Sequence, residues 1–172
     1  MARLSINVET IAALREHTRE KEFDPLAGAV YAETGGCDGI VISLRNDELH
    51  PFTKRDVTLM KQLAKTHYNL QILPRPELIN LALSVHPDMI TLIPGDGAGT
   101  TREGGLDVLG HLDKIGQIIK DIRAQGIVSS VRIDPEIEHV KAAARAGCDY
   151  VELSALSYSK ATIANELQDQ LR

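Results

Sequence analysis

Arg45 and His50 share one short polar loop, Arg45-Asn46-Asp47-Glu48-Leu49-His50. A guanidinium offers a planar fork that fits a phosphate group, and an imidazole adds a second donor whose charge depends on pH. The pair reads as an anion clamp, against the alternative of a solvated loop whose charges pair with one another. A second stretch, Pro94 to Thr101, is rich in glycine and ends in Thr100 and Thr101. Such a loop lets backbone amides approach a phosphate closely, with the threonine hydroxyls as further donors, although a simple turn has the same composition. It is no P-loop, because it lacks a Gly-Lys-Ser/Thr end.

Polar residues also interrupt the apolar runs. Asn7, Gln71 and Glu152 each sit in a strand-like segment, where a buried polar group must be hydrogen-bonded or cost stability. Glu152 is the strand carboxylate able to act as a general base if burial shifts its pKa. Gln71 can orient a ligand but moves no proton at neutral pH. Ser43, Arg132, Asp134 and Ser154 complete the set at the strand exits, with Glu9 after the first. The remaining histidines, His17, His67, His86, His111 and His139, have no metal-ligand spacing. Cys37 and Cys148 each precede an aspartate at a strand start and read as small core residues rather than a disulfide or metal pair. Neither metal nor cofactor is expected.

The elements that must position these groups follow from periodicity. Ile40-Val41-Ile42 is too short for a helix, rich in β-branching and bounded by Gly39 and a polar loop, which predicts a strand buried on both faces. Similar segments recur at Leu4–Val8, Asn69–Leu73, Met89–Ile93, Val128–Ile133 and Tyr150–Leu153, each followed by a helix-like stretch. The charged run Arg15–Asp24 reads as a loop. Helices are expected from Pro25 with Asp24 as N-cap, from Thr53 or Lys54, from Pro76, from about Asp107 to Gln125, after an Asp134-Pro135 cap, and from about Ser159. Alternating strands and helices argue for a parallel sheet with right-handed crossovers. The stretches GCDGIVISLR, HPDMITLIPG and GCDYVELSA repeat a small or acidic entry, an apolar strand and a polar exit. That repetition, and the absence of G-x-G-x-x-G after the first strand, favours a barrel over a dinucleotide fold.

The expected architecture is therefore α/β, a TIM-type (β/α) barrel, incomplete at about six units, as one domain over residues 1–172. Eight units normally close such a barrel, so strands one and six are expected as edges that a partner or a rearranged closure covers. The chain has 172 residues, 43% hydrophobic and 25% charged, with net charge -5. This balance suits one core of ordinary size and gives no nucleic-acid footprint or polybasic membrane surface. No signal peptide opens the chain and no apolar run reaches the roughly 20 residues of a membrane helix, so a cytoplasmic protein is expected.

Taken together and in this order, INVETIAALR, DPLAGAVYAE, GCDGIVISLRNDELH with TKRDV, NLQIL, TREGGLDV and YVELS resemble the pyridoxine 5′-phosphate synthase family of vitamin B6 biosynthesis. The resemblance runs from Leu4 to the last helix. It implies a TIM-type barrel, commonly an octamer, that condenses 1-deoxy-D-xylulose 5-phosphate with 3-amino-2-oxopropyl phosphate without a metal. By position it implies that Asn7 contacts the aminoketone phosphate and that Arg45, His50 and Thr100 hold the sugar phosphate. Arg19 matches a mobile-loop arginine if one residue is deleted nearby, and Glu152 matches a strand-six glutamate.

The departures fall among the acid/base groups. Glu9-Thr10 stands where the family has Asp-His, Ser43 where it has a catalytic histidine, and Gln71 where it has a catalytic glutamate. A third family histidine, in a His-Gly motif, would lie beyond Arg172. Binding groups are kept and proton-transfer groups replaced, and each positioned acid or base typically contributes about 10²- to 10⁴-fold. Two expectations follow: a synthase relying on Glu152, or a non-catalytic relative that binds a phosphorylated metabolite or associates with a complete barrel. Self-association is the other expected partnership. A scaffold with no ligand is the blandest alternative.

Overall fold

Apolar runs bounded by Gly, Asp or Pro become the strands of the computed structural model, which describes residues 2–44, 51–95 and 104–161. The strands are β1 (Ser5–Asn7), β2 (Gly39–Leu44), β3 (His67–Ile72), β4 (Met89–Leu92), β5 (Val128–Ile133) and β6 (Tyr150–Leu153). All neighbours are parallel and the sheet order is β1-β2-β3-β4-β5-β6. The helices are α1 (Glu9–Thr18), α2 (Pro25–Thr34), α3 (Lys54–Leu63), α4 (Pro76–Val85), α5 (Leu112–Ala124), α6 (Ile137–Ala146) and α7 (Leu156–Lys160). The sheet curls into an incomplete TIM-type barrel of six β/α units.

Alternation along each strand separates two environments. Ile40, Ile42, Leu44, Leu70, Ile72, Ile90, Leu92, Val131 and Ile133 are fully buried and share one core with Val57, Met60, Ala82, Ile122 and Ala142 of the helices. Residues between them point the other way, into the curl of the sheet. The last strand departs from this pattern: Val151 is 39% exposed and Leu153 55%.

The acidic strand entries noticed in the sequence have a specific task. Asp38, Asp88 and Asp149 each precede a strand, and each forms the same pair of bonds with the chain next to it. The carboxylate of Asp38 accepts from Leu4 N at 2.8 Å while Asp38 N donates to Leu4 O at 2.7 Å. Asp88 does the same with Tyr68 at 2.8 and 3.0 Å, and Asp149 with Ser129 at 3.0 and 3.2 Å. Each aspartate thereby fixes the register of a strand pair: β1 with β2, β3 with β4, β5 with β6.

Several helix boundaries obey simple capping rules. Asp24 accepts from Leu26 N ahead of the first-turn Pro25. Thr53 and Asp56 form a reciprocal capping box at the start of α3. Four boundaries differ from expectation. The first half of Arg15–Asp24 belongs to α1, whose apolar residues are bunched at Ile11–Leu14 and bury only Ala12 fully, so no helical stripe announces it. Helix α5 begins at Leu112 after a turn rather than near Asp107. The N-cap of α6 is Glu136, with no side-chain cap bond from Asp134. A short helix, α7, already begins at Leu156, ahead of the expected start at Ser159, and the rest of the expected last helix lies outside the described residues.

Candidate functional site

Polar side chains gather at the C-terminal ends of the strands, with Ser43 opposite Gln71, Gln71 opposite Thr91 and Arg132 opposite Glu152 in the ladders. Ser43, Gln71, Thr91, Arg132 and Glu152 are each the next-to-last residue of their strands, and Asn7 is the last residue of β1. Five of them join in one network. Asn7 Nδ2 donates to Ser43 Oγ at 2.9 Å, and Ser43 Oγ donates to Gln71 Oε1 at 2.8 Å. Arg132 Nη2 donates to the same Gln71 oxygen at 2.9 Å. Gln71 Nε2 donates to Glu152 Oε2 at 2.7 Å, and Arg132 Nε donates to Glu152 Oε1 at 2.6 Å. The arginine can only donate and the carboxylate only accept, so the orientation of the Gln71 amide is fixed by its neighbours.

Burial grades across this network. Ser43 is fully buried and Gln71 is 4% exposed, whereas the side chains of Arg132 and Glu152 are 18% and 34% exposed. Every strand polar group expected to need a partner has one. Glu152 sits in an ion pair with Arg132 that solvent reaches on both sides. Thr91, which donates to Asn69 at 3.0 Å, fills the curl beside β3.

Two further contacts shape this end of the barrel. Asn7 Oδ1 accepts from Glu9 N at 2.8 Å, tying the network to the first turn of α1, where Glu9 and Thr10 lie. Leu106 N donates to Arg132 O at 2.7 Å, bringing the chain back onto the end of β5. That approach explains Gly104-Gly105: Gly104 has a left-handed φ of 109°, and a Cβ on Gly105 would collide with the backbone of Ile133 and Asp134.

A second ion pair lies behind the first helices. Asp56, fully buried, receives Arg15 Nη2 at 2.6 Å and Nη1 at 3.2 Å, as well as Thr53 N at 2.9 Å. Arg15 Nη2 also reaches Pro51 O at 3.4 Å. Burial alone would push the Asp56 carboxyl up, but the Arg15 and Thr53 bonds outweigh it and hold it below the usual carboxylate range. This pair fastens α1 to the start of α3.

The remaining expected site residues do not meet here. Arg19, exposed, is the left-handed residue that ends α1, at the opposite end of that helix from Glu9. Arg45, His50 and Thr100 lie outside the described residues. Arg132 was visible in the sequence as a strand exit, but its pairing with Glu152 follows from the β5–β6 register, which a single strand does not reveal. Cys37 is buried, and Cys148 packs against the core with its thiol pushed up to about 11, chiefly by burial and then by Asp149. Among the described residues no three His, Cys, Asp or Glu side chains are grouped to hold a metal ion, and no helix is long and apolar enough to cross a membrane.

Comparison with known proteins adds a family and a fold. The model of the pyridoxal phosphate biosynthesis protein PdxJ matches residues 4–172. A pyridoxine 5′-phosphate synthase of Geotalea daltonii is 40% identical over 172 residues, 100% of this chain and 72% of that protein. One from Trichormus variabilis is 37% identical, covering 99% of this chain and 71% of the relative. Among solved structures, a mandelate oxidase holding a C4a-OH-FMN adduct superposes with a TM-score of 0.60 at 16% identity, over 97% of this chain and 61% of that one. Another, with benzaldehyde, gives 0.59 at 16% over 97% and 60%. At that identity the likeness is one of fold alone.

Proposed function

The chain belongs to the PdxJ family of pyridoxal phosphate biosynthesis proteins, and from that premise we propose that its strand ends bind the phosphorylated substrates of pyridoxine 5′-phosphate formation while carrying out their condensation poorly or not at all. The ligands are 1-deoxy-D-xylulose 5-phosphate and 3-amino-2-oxopropyl phosphate. Asn7 and the Arg45, His50 and Thr100 positions supply the binding groups, with Glu9, Thr10 and Arg19 as the further binding positions that the family resemblance implies. In a TIM-type barrel the C-terminal strand ends are where ligands meet side chains.

The observation that carries this reading is the state of the strand-end network. Ser43 and Gln71, where the resemblance places a histidine and a glutamate, hydrogen-bond each other, and Glu152 is engaged by Arg132 on one oxygen and Gln71 on the other. Neither a serine hydroxyl nor an amide takes the place of a general acid or base at neutral pH. A ring-closing condensation needs several such transfers, and about 10²- to 10⁴-fold is lost with each missing acid or base.

A second reading is favoured by the identity to the synthases, 40% over the full chain: the condensation proceeds with Glu152 as its base and with Ser43 and Gln71 as orienting groups. Incubation with both substrates, following pyridoxine 5′-phosphate, separates the two. No product from folded protein that binds the sugar phosphate supports the binding reading. Product that vanishes in Glu152→Gln supports the second, and failure to bind either substrate removes both.

A further inference from the structure

Arg132 is only half engaged by its neighbours. Its Nε reaches Glu152 and one Nη2 hydrogen reaches Gln71. A guanidinium carries five N–H donors. Among the described residues nothing accepts from Nη1, and the side chain remains 18% exposed. The contrast with Arg15 is direct: both of its terminal nitrogens are taken up by Asp56 and Pro51.

The two partners of Arg132 also determine where its open side points. Glu152 and Gln71 hold the guanidinium from β6 and β3, and Ser43 and Asn7 hold Gln71 in turn. The charged fork is thus fixed at the C-terminal ends of the strands before any ligand arrives, so little side-chain freedom is lost when one binds. Planar forks of this kind favour carboxylate and phosphate oxygens over neutral acceptors.

We propose that Arg132 is an anion-binding residue of this chain, taking an oxyanion of the ligand, phosphate or carboxylate, on its Nη1/Nη2 edge, with Glu152 and Gln71 as its positioning residues. This rests on the reading of the strand ends as a site for phosphorylated metabolites and adds an anchor that the Arg45, His50 and Thr100 positions do not include. Glu152 has two opposed effects here: it aligns the fork and partly offsets its charge.

That opposition supplies the test. Inorganic phosphate and acetate are titrated into the protein at low salt by calorimetry, with Arg132→Met, Arg132→Lys and Glu152→Gln compared after thermal melts confirm folding. Phosphate should bind more tightly than acetate. Arg132→Met should weaken phosphate about 10- to 100-fold, the range expected for losing charge-assisted bonds. Arg132→Lys, which keeps the charge without the fork and serves if the methionine variant does not fold, should weaken it less. Glu152→Gln should tighten it, because the offsetting charge is gone. Acetate binding more tightly than phosphate would move the assignment to a carboxylate ligand and overturn the phosphate arm. Unchanged affinity in both arginine variants would overturn the inference, as would parallel weakening in Arg132→Met and Glu152→Gln, or no binding of either anion to the unmodified protein. Titration with 1-deoxy-D-xylulose 5-phosphate keeps the two ideas apart. Tight binding indifferent to Arg132 sinks the inference and leaves the family reading, whereas phosphate held by Arg132 without affinity for the sugar phosphate does the reverse.

Discussion

The two ends of the barrel are built on opposite plans. At the N-terminal ends of the strands one device is used three times, an aspartate locked to the neighbouring chain through Leu4, Tyr68 or Ser129. At the C-terminal ends five different side chains, Asn7, Ser43, Gln71, Arg132 and Glu152, make one network that is repeated nowhere among the described residues. Repetition suits a task that is the same for every strand pair, namely register. Irregularity suits a surface that must fit one ligand. In barrels of this type the lower end characteristically serves stability and the upper end chemistry.

The largest departure from this division should come from Asp56, a structural group near the upper end. Because it is fully buried and paired with Arg15, Asp56→Ala should cost about 3–5 kcal/mol in urea unfolding, the range for stranding one partner of a buried pair. A loss below about 1 kcal/mol would show that water relieves the pair.

Next come the register locks. Asp88→Ala removes the bond to Tyr68 N and the Lys61 contact at 2.6 Å. With its side chain 40% exposed, the expected cost is about 1–2 kcal/mol, below a fully buried charged hydrogen bond. Phosphate affinity should not change.

The locks also predict a pH limb. Burial would push Asp88 and Asp149 up, but hydrogen bonds from Lys61 and Tyr68, and from Ser129, outweigh it and leave both below the usual range. A depressed folded pKa means stability that is present above the unfolded value, near 3.9, and lost as pH falls through the folded one. Asp88→Asn with Asp149→Asn should therefore flatten the loss of stability below about pH 4. An unchanged acid limb would place the effect elsewhere, with Asp56 the first alternative.

The upper end should respond to pH with the opposite sign once a carboxylate replaces the amide. Gln71→Glu sets two carboxyl groups 2.7 Å apart at the present Gln71–Glu152 contact. Like charges at that range share a proton, so a raised folded pKa results and stability should fall as pH rises through it, by about 1.4 kcal/mol for each tenfold gain in proton affinity on folding. A pH-independent difference from the unmodified protein would mean that Arg132 neutralises both. The smallest stability change is expected for Arg132→Met, about 1 kcal/mol or less, since both members of its pair are reached by solvent. Its effect belongs in the binding isotherm instead.

How far the sequence disclosed this depends on the range of the interaction. Strands such as Ile40–Ile42, the Asp24-Pro25 cap and the Thr53 start are local signals, and the structure has them. The acidic entries were legible as a repeat, but not as locks, because each lock needs an atom of another strand. Helix α1 was missed because bunched apolar residues give no stripe. The need of Asn7, Gln71 and Glu152 for partners could be argued residue by residue, while the choice of Arg132 could not. It depends on five strands of one sheet bringing their C-terminal ends together.

That dependence sets an order in time. Gln71 and Glu152 are 81 residues apart along the chain and Gln71 and Arg132 are 61 apart, whereas each strand pairs with the next in sequence. Strands can therefore add one after another as short loops close, but the network is incomplete until β6 arrives. Long-range closure forfeits chain entropy before any contact compensates for it. On a ribosome the sheet would have five strands in hand while the bonds of Gln71 and Arg132 to Glu152 were still unmade, so the network closes only once β6 is in place.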